Sequence, residues 1–176
     1  MSAKRRLHTS ADTGNAGSGT VDRPNILWIC SDQQRWDTLG CYGNPHVATP
    51  NLDRLAQQGT LFENAYSQSP VCTPSRAGFL TGRYPRTTRC RQNGQDIPPD
   101  EVLVSKLLAD NGYVCGLSGK LHISACHPAV CDGPERRIDD GYKVFHWSHH
   151  AGPGWGDTNA YFAWLTEQDT RFETTP

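Results

Sequence analysis

The segment "PVCTPSRAGFLTGRYP", residues 70–85, sets Cys72, Pro74 and Arg76 at alternate positions and then opens a stretch of helical character. A helix N-terminus presents unpaired N–H groups and the positive end of the peptide dipole. Together these hold an anion by about 0.3–1 kcal/mol, and a charge-assisted bond from Arg76 adds about 1.5–3. With Thr73 as cap and Pro74 at the first helical position, that end faces Cys72. The site is one for an anion, and the same field would make Cys72 a reactive thiolate, a phosphatase-like nucleophile. Two further places hold residues of this kind. Asp32 closes the apolar run of "PNILWICSD", and Lys120 and His122 sit in the polar end of "YVCGLSGKLH". "LHISACHPAVC" adds His122, Cys126, His127 and Cys131, nitrogen and sulfur donors at spacings zinc could use. No paired Cys-x-x-Cys anchors that set and a proline interrupts it, so zinc is the weaker reading.

Elements that could position these residues follow from periodicity. Asn25–Ser31 is a continuous apolar run rich in β-formers, as in a strand buried on both faces, with Asp32 at its carboxyl end. "TPNLDRLAQQG" predicts a helix with Thr49 as cap, Pro50 first, Leu52, Leu55 and Ala56 on one face and Gly59 as the stop. "LFENAYSQS" offers a second strand, "DEVLVSKLLADNG" a helix with Leu103 and Leu107 one turn apart that closes at Gly112, and Tyr113–Leu117 another short strand. "FHWSHHAGPGWGDTNAYFAWL" reads either as a substrate-side loop or as plain loop followed by a helix edge at Tyr161–Leu165. Alternation of strand and helix predicts an α/β fold with a mostly parallel central sheet flanked by helices, whose ligands sit at the carboxyl ends of strands. Asp32 and the Lys120/His122 loop would then share one edge.

Composition sets bounds. With 17 Lys+Arg against 18 Asp+Glu in 176 residues, the net charge of −1 gives no reason to expect nucleic acid or an anionic membrane as partner. A chain of this length supports one core, so one domain spanning 23–176 is expected after a disordered polar tail at 1–22. That tail lacks the roughly 7 to 15 apolar residues of a secretory signal, and no stretch approaches the roughly 20 of a membrane helix. A cytoplasmic location is expected. Seven irregularly spaced cysteines suit reduced thiols, with Cys30, Cys41, Cys90 and Cys115 as core or surface thiols.

Four ordered blocks carry a family resemblance: "PNILWICSDQQRWDTLGCYGN", "TPNLDRLAQQGTLFENAY", the Cys-x-Pro-x-Arg of Cys72, Pro74 and Arg76 followed by "LTGRYP", and "GYVCGLSGKLH". Over residues 24–123 the chain resembles the type I sulfatases of the alkaline-phosphatase-like superfamily. The resemblance implies that Cys72 is converted to formylglycine by a formylglycine-generating enzyme. The hydrated aldehyde, bound to a divalent cation, would attack the sulfur of a small-molecule sulfate ester. It also implies that Arg76 holds the nucleophile and the cation site, and that Lys120 and His122 stabilise charge on the sulfate and the diol. Asp32, Gln33 and residue 72 would be metal ligands. Calcium suits such oxygen donors best, with magnesium or manganese next. Asn93, in "CRQNG", is either a pocket residue that touches substrate or a turn residue before Gly94.

Two departures bear on this. Many sulfatases have a second aspartate where this chain has Gln33, and relatives acting on phosphonate or phosphate esters share the glutamine, so phosphonate or phosphate monoester hydrolysis is the alternative chemistry. Full-length members are also considerably longer, with further metal ligands and catalytic His and Lys in a segment that would follow Pro176. The chain is therefore expected to be an incomplete, N-terminal portion of such a catalytic domain. It would be a fragment completed by a C-terminal half, or a truncated non-catalytic product.

Overall fold

The computed structural model describes residues 23–131, 133–150 and 153–168; the expected tail at 1–22 lies outside the described residues. The chain divides into two compact units, Met1–Glu63 and Asn64–Pro176.

The first unit is organised by hydrogen bonds rather than by a core. Short 3-10 turns at Trp36–Thr38 and Gly40–Tyr42 precede helix α1, Pro50–Gln58, which starts on its proline and ends at Gly59 as expected. Thr49 does not cap it through its side chain. Its hydroxyl instead accepts from the Gly40 N–H at 2.8 Å and donates to Asp53 Oδ1 at 2.9 Å, while the Cys41 N–H donates to the same carboxylate oxygen at 2.7 Å. The threonine and the aspartate thereby tie the turn at Gly40 to the first turn of α1. None of the described residues up to 63 is buried. The expected strand at Asn25–Ser31 is not formed, and Leu27 there is 85% exposed. "LFENAYSQS" likewise forms no strand. A strand exists only through bonds to a neighbouring strand, and no described segment pairs with either. The apolar stripe of α1 meets the same fate, with Leu52 and Leu55 exposed.

The second unit has a true core: Ala77, Leu80, Cys90, Ile97, Leu103, Leu121, Ile123, Cys126 and Trp147. Around it lie α2, Cys72–Thr81; α3, Pro85–Thr88; α4, Val104–Asp110; β1, Cys115–Gly119; β2, Tyr142–Trp147; and α5, Ala160–Glu167. β1 and β2 pair in parallel from Cys115↔Tyr142 to Gly119↔Trp147, with an irregularity after Cys115. This is a small parallel two-stranded sheet with helices. β1 begins two residues later than the apolar run suggests, and β2 was not foreseen. Leu103 is buried but precedes α4 as its N-cap, whereas Leu107 is 54% exposed, so the two do not share a buried face.

The start of β2 is pinned by side chains. Buried Asp140 accepts two bonds from Arg137, at 2.7 and 2.5 Å, and one from the Tyr142 N–H at 3.0 Å. The Ser105 hydroxyl of α4 donates to the Asp140 carbonyl at 2.6 Å. Between them Gly141 adopts φ +78°, and a Cβ there would stand 2.6 Å from Lys106 Cα and 2.7 Å from the Ser105 carbonyl. The strand therefore sits against the α4 backbone at a distance only glycine permits.

Candidate active site

α2 departs from the expected cap. It begins at Cys72, with Val71 as the N-cap, so Thr73 is already helical and fully buried. The Thr73 hydroxyl is turned away from the helix to His122, whose Nε2 lies 3.0 Å from it. Its backbone N–H is instead met from outside, by Asn93 Oδ1 at 2.9 Å. Asn93 is thus a remote cap for α2, a role that neither expectation for it contained. With Pro74 lacking an N–H and Ser75 already bonded to the Val71 carbonyl at 3.1 Å, at most the Cys72 N–H of the first turn is left for an anion. This revises the helix-end argument: any anion here is held mainly by side chains. The helix closes as a C-capped turn, with Gly82 at φ +67° in the left-handed region.

Arg76, 7% exposed, donates through Nη1 to the Lys120 carbonyl at 2.5 Å. One turn of α2 is in this way clamped to the segment that leaves β1, and Lys120 and His122 follow the strand's carboxyl end, where parallel α/β sheets place their ligands. The structure therefore joins Thr73, Arg76, Asn93, Lys120 and His122 around the start of α2, where Cys72 is half-buried. Asp32 and Gln33 belong to the first unit, where both are exposed.

His122 is 6% exposed and holds φ +53°. Gln33 has the same left-handed angle. For residues with a Cβ this conformation costs roughly 1–2 kcal/mol and persists only where the surroundings enforce it. For His122 the enforcing group is Glu135. Its carboxylate accepts from the backbone N–H groups of His122 at 2.5 Å, Ile123 at 2.7 Å and Ser124 at 3.1 Å, and from the Trp147 indole at 2.9 Å. Burial raises the Glu135 carboxyl above the ordinary carboxylate range, and these four donors offset only part of that. Sequence reasoning missed Glu135. "GPERRID" has no spacing that marks it, since its partners lie 11 to 13 residues away and their N–H groups look like those of any loop.

The aromatic and histidine-rich segment lies within the described residues except for 151 and 152. Ser148 to His150 follow β2, and α5 covers the expected helix edge at Tyr161–Leu165. A cavity of about 500 Å³ is lined by Lys120, His146, His149, His150, Tyr161 and Trp164, among others. It joins one cationic side chain to imidazole and aromatic walls, so it can take a group that carries both charge and an apolar face. Of the four donors behind the weaker zinc reading, His122 and Cys126 approach one another, whereas His127 and Cys131 have other partners. His127 Nδ1 accepts from the Ala129 N–H at 3.1 Å, and the Cys131 thiol lies 2.9 Å from the Gly133 carbonyl.

Comparison with known proteins finds relatives of one kind. A family model described as Sulfatase matches residues 24–152. The ulvan-active sulfatase of Formosa agariphila is 40% identical over 128 residues, covering 72% of this chain and 25% of that protein. Human arylsulfatase A is 38% identical over 151 residues, covering 78% of this chain and 28% of its own. The crystal structure of the sulfatase yidJ from Bacteroides fragilis superposes with a TM-score of 0.55 at 36% identity, covering 62% of this chain and 26% of that one. The chain spans about a quarter of the length of these relatives.

Proposed function

The chain belongs to the sulfatase family, and on that premise we propose that it carries the nucleophile segment of a sulfuric ester hydrolase. The observation that supports this most is the clamp between α2 and the Lys120–His122 segment, since it gathers the Cys-x-Pro-x-Arg residues and the Lys-x-His residues at the carboxyl end of β1. The architecture to which it contributes is, on this reading, an alkaline-phosphatase-like domain with a mostly parallel central sheet flanked by helices.

Formylglycine at position 72, made by a formylglycine-generating enzyme, would supply the nucleophile toward sulfur. Asp32 and Gln33 offer a carboxylate and an amide oxygen, the hard donors that calcium, magnesium or manganese accept, though they are two of the 6 to 8 oxygens calcium takes. A bound cation of this class supplies a Lewis acid that lowers the pKa of a coordinated hydroxyl.

The protein's own side chains have definable tasks. Arg76 fixes the Lys120 backbone, so the Lys120 ammonium is presented from a rigid point to the oxygens of a sulfate group. Thr73 holds the His122 ring through Nε2, and Glu135 holds its backbone, so the imidazole keeps one orientation while it donates or receives a proton. The low exposure of Arg76 and His122 keeps water from screening these charges, which strengthens them where negative charge develops.

Mass spectrometry of the peptide containing residue 72, after co-expression with a formylglycine-generating enzyme, tests the first step. Conversion of Cys72 to the aldehyde is expected, and recovery of the thiol alone would overturn it. Hydrolysis of an aryl sulfate by the intact protein, abolished in Cys72→Ala, tests the second. Gln33 favours one rival chemistry, phosphonate or phosphate monoester hydrolysis, and a preference for an aryl phosphonate over the aryl sulfate in the same assay would select it.

A further inference from the structure

His122, Cys126 and His149 converge from two segments, the turn after β1 and the turn after β2, so that one nitrogen or sulfur of each lies within 4.8 Å of the other two. We propose that these three side chains form a site for zinc or a similar borderline-soft divalent cation, with a fourth position open to water or an anion.

The donor set is the reason for the choice of metal. Two imidazoles and one thiolate are the ligands zinc takes in Cys/His sites, at about 2.0–2.1 Å for nitrogen and about 2.3 Å for sulfur. Tetrahedral bonds of those lengths put ligand atoms about 3.3–3.6 Å apart. Separations of no more than 4.8 Å thus need to close by at most about 1.5 Å, through small side-chain rotations of the three ligands. Calcium and magnesium, which prefer oxygen, have nothing to bind here.

The surroundings already orient the ligands. His122 Nε2 faces the Thr73 hydroxyl, the kind of outer hydrogen bond that metal-binding histidines usually have, and in that arrangement the ring takes the metal through Nδ1. The Trp155 indole donates to the Cys126 carbonyl at 2.7 Å, and its ring lies 4.8 Å from that of His149, so one side chain braces two ligands. The His122 and His149 rings are 4.4 Å apart, edge to face. On binding, the Cys126 thiol gives its proton to solvent and the sulfur forms the metal bond, so the site gains one negative charge against the cation.

Recruitment of His122 has a consequence that rests on the function proposed above. A zinc ion on His122 blocks the ring that serves the sulfate site, so zinc inhibits sulfate ester hydrolysis in competition with the productive state.

Cobalt titration of the purified 176-residue chain tests the site directly. One cobalt ion per chain is expected, with thiolate-to-metal charge transfer and the visible bands of a four-coordinate ion, both removed by added zinc. Cys126→Ser should abolish the charge-transfer band. His149→Ala should weaken binding more than the 10- to 100-fold typical of an outer-sphere change, so by at least about 100-fold. His127→Ala and Cys131→Ser should bind as the parent does. Circular dichroism checks the fold of each variant, and if Cys126→Ser does not fold, His149→Ala decides alone. No thiolate band in the parent, or unchanged binding in His149→Ala, would overturn the site. A cobalt signal in a chain whose Cys72 stays a thiol after co-expression with an active formylglycine-generating enzyme would leave the site standing and remove the proposed function.

Discussion

Glu135→Gln is the most informative single change in this chain, because it alters charge and one acceptor without altering shape. In the native carboxylate Oε1 accepts from the His122 N–H and the Trp147 indole, and Oε2 accepts from the Ile123 and Ser124 N–H groups. An amide keeps one acceptor oxygen and puts an NH2 group in place of the other. In either orientation, two buried donors then face a donor. Each such orphan costs about 1–3 kcal/mol, so the gross loss is about 2–6 kcal/mol. A neutral side chain escapes the burial penalty that a carboxylate bears, which offsets part of this. A net loss of about 2–4 kcal/mol is expected, a large share of the roughly 5–15 kcal/mol that holds a domain together. Urea unfolding followed by tryptophan fluorescence reads it well, since Trp147 is 2% exposed and bonded to the carboxylate itself. Glu135→Ala, which orphans all four donors, should lose more than the glutamine variant. The His122 backbone, no longer held at φ +53°, should relax, with a changed His122 ring resonance by NMR. A Glu135→Gln stability within about 0.5 kcal/mol of the parent, the range of ordinary surface changes, would refute the idea that this carboxylate organises the loop.

Three further outcomes are expected. Gly141→Ala should lose more than about 2 kcal/mol in urea unfolding, because a left-handed angle and a contact with the α4 backbone oppose the methyl together, and neither can yield as a flexible side chain would. Thr73→Val keeps shape but takes the hydroxyl from His122, so stability should fall by about 1–3 kcal/mol and the His122 ring resonances should move in NMR spectra at constant pH. Burial raises the Cys90 thiol, and burial followed by the nearby Glu135 raises the Cys126 thiol to about 12, so in the native chain exposed Cys30 should react with iodoacetamide while these two do not. A raised thiol holds its proton longer when folded. Its contribution is therefore complete below the ordinary thiol range and is lost as pH rises through the folded value, toward about 12 for Cys126, and urea midpoints measured up the alkaline range should fall less in Cys126→Ser.

What the amino-acid order determined by itself is local. Helix α1 is legible because Pro50 and Gly59 act within a turn of where they stand, and the presence of α2 because Pro74 suits a first helical turn, although its cap is Val71 and not Thr73. The four ordered blocks that carry the family resemblance, the Cys-x-Pro-x-Arg and Lys-x-His residues among them, were visible in the same way. Tertiary structure decided everything that depends on partners far along the chain. Asn25–Ser31 reads as a strand in composition, but pairing is non-local, and no described segment supplies the bonds that would make it one. Thr73 reads as a cap, yet the buried ring of His122, 49 residues on, claims its hydroxyl, while Asn93, 20 residues on, takes over its N–H. Glu135 and His149 carry no motif at all. Their roles arise because the connection from β1 to β2, which holds Glu135, and the turn after β2, which holds His149, both come back to the segment around His122, where a buried carboxylate must find donors and a ring must find a neighbour, and such needs are set by burial, which no short stretch of sequence contains.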